Sequence, residues 1–306
     1  MRSVPPFDGL IAFDATLRLG STTAAAAELG LTQSAVSHRL RKLDGFLGGR
    51  LLRRSAGGLS PTPAGAALAA ALKPILDDMA ELRALCRAMA TPGTLKVGVG
   101  QALADHWLVR RLPRFAGAHP GIAIELAAVE SEARMRSLDP DVLVAWSPVA
   151  EARATSTRRL LARERVFPVA APALLPGGRP LTDPQALRRL PILHKGPIDG
   201  SGVEWSWTTW FDRLAIPGGP PPGPRFTTIG TTIAAALQGT GVALARTLLV
   251  HDALAEGRLV RVLAPEWDMA SAKAHFVRWP AALAGDARVA AFACWLAAEA
   301  AETCSP

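Results

Sequence analysis

The sequence predicts a small all-α head built on a winged helix-turn-helix, a long linking helix, and a two-lobed α/β domain. Three observations carry that prediction. Ser21 to Asp44 reads as two short helices joined by a tight turn, the second with polar and basic side chains outward. From Leu68 to Met89 apolar residues recur by four and three. From Thr94 onward, strand-like and helix-like segments alternate, as in an open sheet with helices on its faces.

The head comes first. Phe7 to Leu19 forms the opening helix, with Leu10, Ile11, Phe13, Ala15 and Leu17 mostly inward, and Gly20 ends it. Ser21 caps the second helix, starting at Thr22, and Thr32 caps the third. Ala26 precedes Gly30 by four residues and Val36 follows it by six. A small residue lets the helices approach, glycine takes the left-handed turn, and valine plugs the seam. Val36, Leu40 and Leu43 then mark the buried side of the third helix, leaving Gln33, Ser34, Ser37, His38, Arg41 and Lys42 for its other faces. Amides and hydroxyls read base edges in a major groove, and Arg and Lys meet phosphate. The expected partner is double-stranded DNA; the alternative is a solvated amphipathic helix. Leu51 to Arg54 and Leu59–Ser60, around the tip Ser55 to Gly58, read as a hairpin wing with Arg50, Arg53 and Arg54 near the phosphates.

Thr62 followed by Pro63 starts the linking helix. Leu68, Leu72, Ile75, Met79, Leu82, Cys86 and Met89 form a coiled-coil seam, so this helix is expected to pair with its copy in a second subunit. The other reading packs the stripe on the chain's own domain; a long helix between two globular parts favours pairing. Pro74 should kink it, and Thr91-Pro92-Gly93 stops it. The expected domains are 1–62, 63–92 and 93–306, the last with one lobe of about 94–165 plus 267–301 and another of about 166–266.

In the third domain, strands are expected at Leu95–Val99, Ile122–Val129, Asp141–Trp146, Val166–Ala170, Leu193, Phe226, Val242–Ala245 and His275–Trp279. Helices are expected at Asp105–Ala118, Trp205–Leu214, Thr231–Leu237 and Ala287–Ala300. Trp205, Trp207, Trp210 and Phe211 read as core.

The totals narrow the function. A net charge of +8 over 306 residues favours a polyanionic partner. No secretory leader and no run of about 18 apolar residues is visible, so a cytoplasmic, non-membrane protein is expected. The three cysteines, Cys86, Cys294 and Cys304, lack metal-ligand spacing and fit a reducing compartment. The six scattered histidines form no metal pair, and Gly-x-Ser-x-Gly is absent. Gly98-Val99-Gly100 follows a strand as in a dinucleotide fingerprint, but Leu103 takes the third glycine's place. A nucleotide-binding enzyme with an accessory helix-turn-helix is thus the minor alternative to a regulator without catalysis, cofactor or metal. A transport binding protein would need an export signal and no such head. A thiol switch would need a close cysteine pair.

The chain resembles the LysR-type transcriptional regulators from end to end. The residues that carry the resemblance are Gly20 to Ala27, Thr32 to Ser37, Leu43-Asp44, Leu47-Gly48 and Pro61-Thr62-Pro63-Ala64-Gly65. His106 to Val109, His119 to Ile122 and Gln238 to Leu244 look most like the branch of the glycine-cleavage activator and the β-lactamase regulator. The resemblance implies a homo-oligomer, usually a tetramer made of two dimers, that binds promoter DNA, with RNA polymerase as a further partner. It implies an effector domain of periplasmic-binding-protein type that closes on a small ligand. It places base or backbone contacts on Gln33, Ser34, Ser37, His38 and Arg39, with Arg53 and Arg54 near the wing. Two departures stand out: Ala56-Gly57-Gly58 where many members carry arginine, and Asp44 where glutamate is usual.

In such a fold the ligand lies against strand ends and helix N-termini, whose free N–H groups favour an anion. Gly100 to Ala104, Trp146-Ser147 and Phe226 to Gly230 are expected to reach it. Thr227 and Thr228 offer hydroxyls, Trp146 a wall, and Gln101 and His194 are further candidates. Ala102 falls where related regulators offer a serine or threonine, which suggests a different ligand.

Overall fold

A computed structural model describes residues 4–55, 58–130, 138–151, 155–196 and 205–304. The expected wing tip at Ala56 and Gly57 lies outside the described residues. The chain falls into two compact units, Met1–Ala80 and Glu81–Pro306.

In the first unit, α1 (Phe7–Leu19), α2 (Thr22–Leu29) and α3 (Gln33–Leu47) are followed by a hairpin of β1 (Leu52–Ser55) and β2 (Gly58–Pro61). The local chemistry sets each boundary. Gly20, Gly30 and Gly48 end the three helices in the left-handed conformation. The Ser21 hydroxyl accepts from Ala24 N–H, and that of Thr32 from Ala35 N–H. Ala25, Ala26 and Val36 close the seam between α2 and α3 against Ala12 and Ala15 of α1. The hairpin pairs Leu52 with Pro61 and Ser55 with Gly58, and Leu59 N–H donates to the Gly20 carbonyl at 2.9 Å.

The helix α4 runs from Pro63 to Ala90, through Pro74. Its start is fixed on the hairpin: the Thr62 hydroxyl donates to the Arg50 carbonyl at 2.8 Å and accepts from Gly65 N–H at 3.1 Å. A β-carbon at Gly65 would lie 2.0 Å from the Leu51 carbonyl oxygen, so glycine alone permits the approach. The apolar stripe of α4 divides in two. Leu68 and Leu72 are spent on the head's own core, with Leu10, Phe13, Leu43 and Leu51. Ile75, Met79, Leu82 and Met89 are 49–75% exposed, and Cys86 is exposed as well.

The second unit is a two-lobed α/β domain on one nine-stranded sheet. Its strands are β3 (Thr94–Gly100), β4 (Ala123–Val129), β5 (Val142–Pro148), β6 (Arg158–Ala170), β7 (Ile192–Lys195), β8 (Arg225–Phe226), β9 (Val242–Arg246), β10 (Val260–Arg261) and β11 (Met269–Arg278). The order is β4-β3-β5-β11-β6-β9-β7-β8, with β10 on β6. Parallel pairs lie at both ends, β3 with β4 and β5, and β7 with β8 and β9. In the middle the long antiparallel pair β6–β11 joins the two halves, from Met269 beside Val166 to Arg278 beside Arg158.

The helices are α5 (Gln101–Leu103), α6 (Leu112–Ala118), α7 (Trp207–Arg213), α8 (Ile229–Leu237), α9 (Thr247–Ala255) and α10 (Ala287–Cys304). The single helix expected over Asp105–Ala118 is instead broken. It begins at Gln101, passes through a π-helical turn at Ala104–Leu108, and resumes at Leu112. Pro113 lacks an N–H to give, and the Arg111 guanidinium donates to the Trp107 carbonyl at 2.8 Å. β6 and β11 both begin several residues earlier than expected. Arginines at 158, 159, 163 and 165 masked the strand pattern in β6, although Leu161 and Ala162 are buried. Helix α9 was not foreseen, since Arg246 before it supplies no side-chain cap.

Two polar clusters hold the sheet. Asp141 is buried, accepts Lys96 N–H at 2.8 Å, and pairs with Arg87 at 2.6 Å. Arg111 makes a two-pronged bond to Asp252 of α9, both contacts at 2.8 Å.

Candidate functional site

On α3 the apolar positions Val36 and Leu43 are consumed by packing, and Thr32, Gln33, Ser34, His38, Arg41 and Lys42 are exposed. Ser37 and Arg39 are half-buried. Gln33 Nε2 donates to Thr22 Oγ1 and to Ser37 Oγ, both at 3.2 Å, so the amide is held across the turn by both helices. Arg39 lies 3.4 Å from Asp8 of α1. Ser21 is turned to capping, while Arg53 and Arg54 are exposed on β1. Polar groups presented by a helix that is pinned on its other side suit a major groove.

In the second unit a cavity of about 400 Å³ opens where the two halves of the sheet meet. Gln101 and Ala102 enter it from the end of β3, Trp146 from β5, and Thr227 and Thr228 from the turn before α8. Several of these groups already have partners. The Thr228 hydroxyl caps α8 by accepting Thr231 N–H at 3.1 Å, and the Gln101 amide donates to Asp105 at 2.9 Å.

His194 is a correction. It does not line the cavity: its Nε2 sits 2.9 Å from the Pro221 carbonyl, and its pKa lies below the ordinary value because the ring is buried. Strand alternation turns its neighbours Leu193 and Lys195 to the cavity instead. The Trp205–Phe211 stripe is core as expected for Trp207, Trp210 and Phe211, but Trp205 and Trp207 also reach the cavity.

The charged lining was missed by sequence reasoning. Lys195, Arg246 and Lys273 border the cavity, with Glu130 as the acid among the described lining residues. Lys195 and Arg246 each end a parallel strand, where ligands of α/β sheets gather, and that was the signal to follow. The Arg246 guanidinium carbon stands 4.0 Å from the Trp146 ring centre, and Trp146 meets the His275 ring at 4.7 Å. Behind it, His275 Nδ1 lies 2.9 Å from Glu164 Oε1, both fully withdrawn from water. Burial holds His275 below the usual imidazole value. For Glu164, burial alone would raise the carboxyl; His275, Arg246 and the Leu248 N–H outweigh it and leave the pKa lowered. Lys195 is depressed by burial first, then by the charges of Arg246 and Lys273.

Among the described residues no cluster of His, Cys, Asp and Glu is arranged to hold a metal. No helix among the described residues is long and apolar enough to cross a membrane.

A duplex-reading helix and a ligand-sized cavity on one chain define a regulator class, and sequence comparison gives the family. Residues 7–66 match the bacterial regulatory helix-turn-helix protein, lysR family, and residues 90–301 match the LysR substrate binding domain. The chain belongs to the LysR family of bacterial transcriptional regulators. It is 33% identical over 302 residues to the glycine cleavage system transcriptional activator of Escherichia coli K12, covering 98% of this chain and 95% of that one. To the transcriptional activator AmpR of Rhodobacter capsulatus it is 29% identical over 307 residues, covering 97% and 98%. Among solved structures it is similar to CrgA, a LysR-type regulator from Neisseria meningitidis. The TM-score there is 0.51 and the identity 22%, over 99% of this chain and 100% of that one. The effector domain of AmpR of Pseudomonas aeruginosa matches with a TM-score of 0.52 at 22% identity, over 68% and 96%.

Proposed function

We propose that this regulator reads promoter DNA through α3 and answers to a small anionic effector held in the cavity of its second unit, without catalysing a reaction. The observation that carries the reading is the set of basic side chains on the cavity wall where the two halves of the sheet meet, Lys195 and Arg246 at the ends of β7 and β9 and Lys273 on β11. Gln33 and Ser37 supply base contacts, with Thr22, Ser34, His38, Arg41 and Lys42 around them; Arg39, Arg53 and Arg54 supply charge for the phosphates. Gln101, Ala102, Trp146, Thr227 and Thr228 border the effector, in lobes of about 94–165 plus 267–301 and about 166–266. The exposed part of the α4 stripe pairs with a second copy, and two such dimers make the tetramer. A duplex partner places the work in the cytoplasm.

Genome-wide footprinting of bound sites, with and without candidate small anions, tests this. Sharp sites whose occupancy or footprint length changes with an anion support the reading. No preference for any sequence over bulk duplex at physiological salt defeats it.

A further inference from the structure

We propose that His275 selects the effector by accepting a hydrogen bond at Nε2, so that the molecule held in the cavity presents a hydroxyl or an N–H at that point. This rests on the reading of the cavity as the effector site and adds one chemical requirement for what enters it.

The requirement follows from where the ring's proton sits. His275 is buried, yet it forms part of the cavity wall. Its Nδ1 lies 2.9 Å from Glu164 Oε1. Two lone pairs facing each other at that distance would repel, so one of the two atoms carries a proton. Against the burial that would neutralise it, Glu164 is held as the carboxylate. The Leu248 N–H, in the first turn of α9, donates to its Oε2 at 3.1 Å, and Arg246 adds a favourable charge. The proton therefore belongs to Nδ1, which points it at Glu164. Burial keeps the ring from taking a second proton, in keeping with the lowered pKa of His275. Nε2 is left as a bare lone pair.

The fold makes no use of that lone pair. Among the described residues no donor bonds to Nε2. The ring is not free to turn and hide it: Trp146 packs against one face with centroids 4.7 Å apart, and Glu164 holds the other nitrogen. Lys195 and Lys273, elsewhere in the wall, can only donate. A ligand that brings no donor leaves Nε2 buried and unpaired, at a cost comparable to a lost hydrogen bond. A ligand with a hydroxyl or an N–H meets it.

The cavity of about 400 Å³, walled by Trp205, Trp207 and Leu193, admits single-ring probes. Meta- and para-hydroxybenzoate are each compared, by isothermal titration of the full chain, with the fluorobenzoate of the same pattern, which is close in size and has no donor. In the parent at least one hydroxybenzoate should bind about five- to tenfold tighter than its fluoro counterpart. In His275→Phe, which keeps a ring and removes the acceptor, that ratio should fall to about one. A second measurement needs no variant. With histidine isotopically labelled at its ring nitrogens, NMR of the full chain should show His275 protonated at Nδ1 and bare at Nε2, and the Nε2 signal should move when the preferred hydroxybenzoate is added. A proton on Nε2 in the ligand-free parent overturns the inference, and so does a preference that survives His275→Phe. Equal affinity within both pairs, lost in the cavity-filling Ala102→Trp, overturns it too and leaves the effector reading standing. Probe binding untouched by Ala102→Trp overturns both readings. If no probe binds, the inference falls, and the footprinting above judges the effector reading separately.

Discussion

Trp146 of β5 carries the guanidinium of Arg246 of β9 on its face, 4.0 Å from ring centre to charge, although the two strands belong to opposite halves of the sheet. A partly desolvated contact of this kind is worth about 1–2 kcal/mol. Trp146→Leu should therefore lower the stability of the second unit by about 1–2 kcal/mol, read by chemical denaturation, while Trp146→Phe should keep most of it. A Leu variant as stable as the parent would show that the stacked pair contributes nothing.

For DNA, the bridge from Gln33 to Thr22 and Ser37 predicts an asymmetric loss. Gln33→Ala or Ser37→Ala should cost about 1–3 kcal/mol at a footprinted site and little on random duplex. Arg53→Ala should weaken both and reduce the slope of log affinity against log salt by about one. Fluorescence anisotropy across a salt series distinguishes them. Equal losses on both duplexes for Gln33→Ala would mean that the amide does not read bases.

The buried pair Glu164–His275 makes the effector domain acid-sensitive. Folding lowers the pKa of His275, so below the ordinary imidazole value of 6.5 the unfolded chain binds a proton that the folded chain refuses. Stability is full above that pH and falls as the pH drops, by at most about 1.4 kcal/mol per unit for this one group. Glu164, also lowered, adds to the fall below its ordinary value of 4.5. Melting temperatures of the parent should decline from pH 6.5 toward 5, and His275→Gln should flatten that part of the curve. An identical slope in the variant would clear His275 of the effect.

The exposed half of the α4 stripe predicts self-association. Met79→Glu or Leu82→Glu should shift sedimentation toward the monomer, while Asp78→Glu should not. Monomers in the parent at tens of micromolar would show that the stripe serves something else.

Much of this molecule is written plainly in its sequence. The turn at Gly30, the cap at Thr32 and the seam at Val36 act within a dozen residues, and local chemistry of that kind survives folding unchanged. Trp146, Thr227 and Thr228 stand in the cavity wall at strand ends and helix starts, which are local signals too. Lys195, Arg246 and Lys273 have no such signal, because nothing in the linear order tells that three strands bring them to one opening. His194 and Lys195 show the same limit: alternation says that they face opposite ways, but not which faces the cavity. In β6 the arginines hid the stretch from Arg158 to Arg165, whose partner β11 comes more than a hundred positions later.

The close approach at Gly65, where a β-carbon would fall 2.0 Å from the Leu51 carbonyl oxygen, has a mechanical meaning. With only a hydrogen between α4 and the Leu51 carbonyl, and Thr62 clasping the same loop, a side chain at position 65 would have to push the helix off the hairpin. A rotation of the first turns of α4 would then carry β1 with it, and so Arg53 and Arg54; a bulkier residue at 65 would uncouple them.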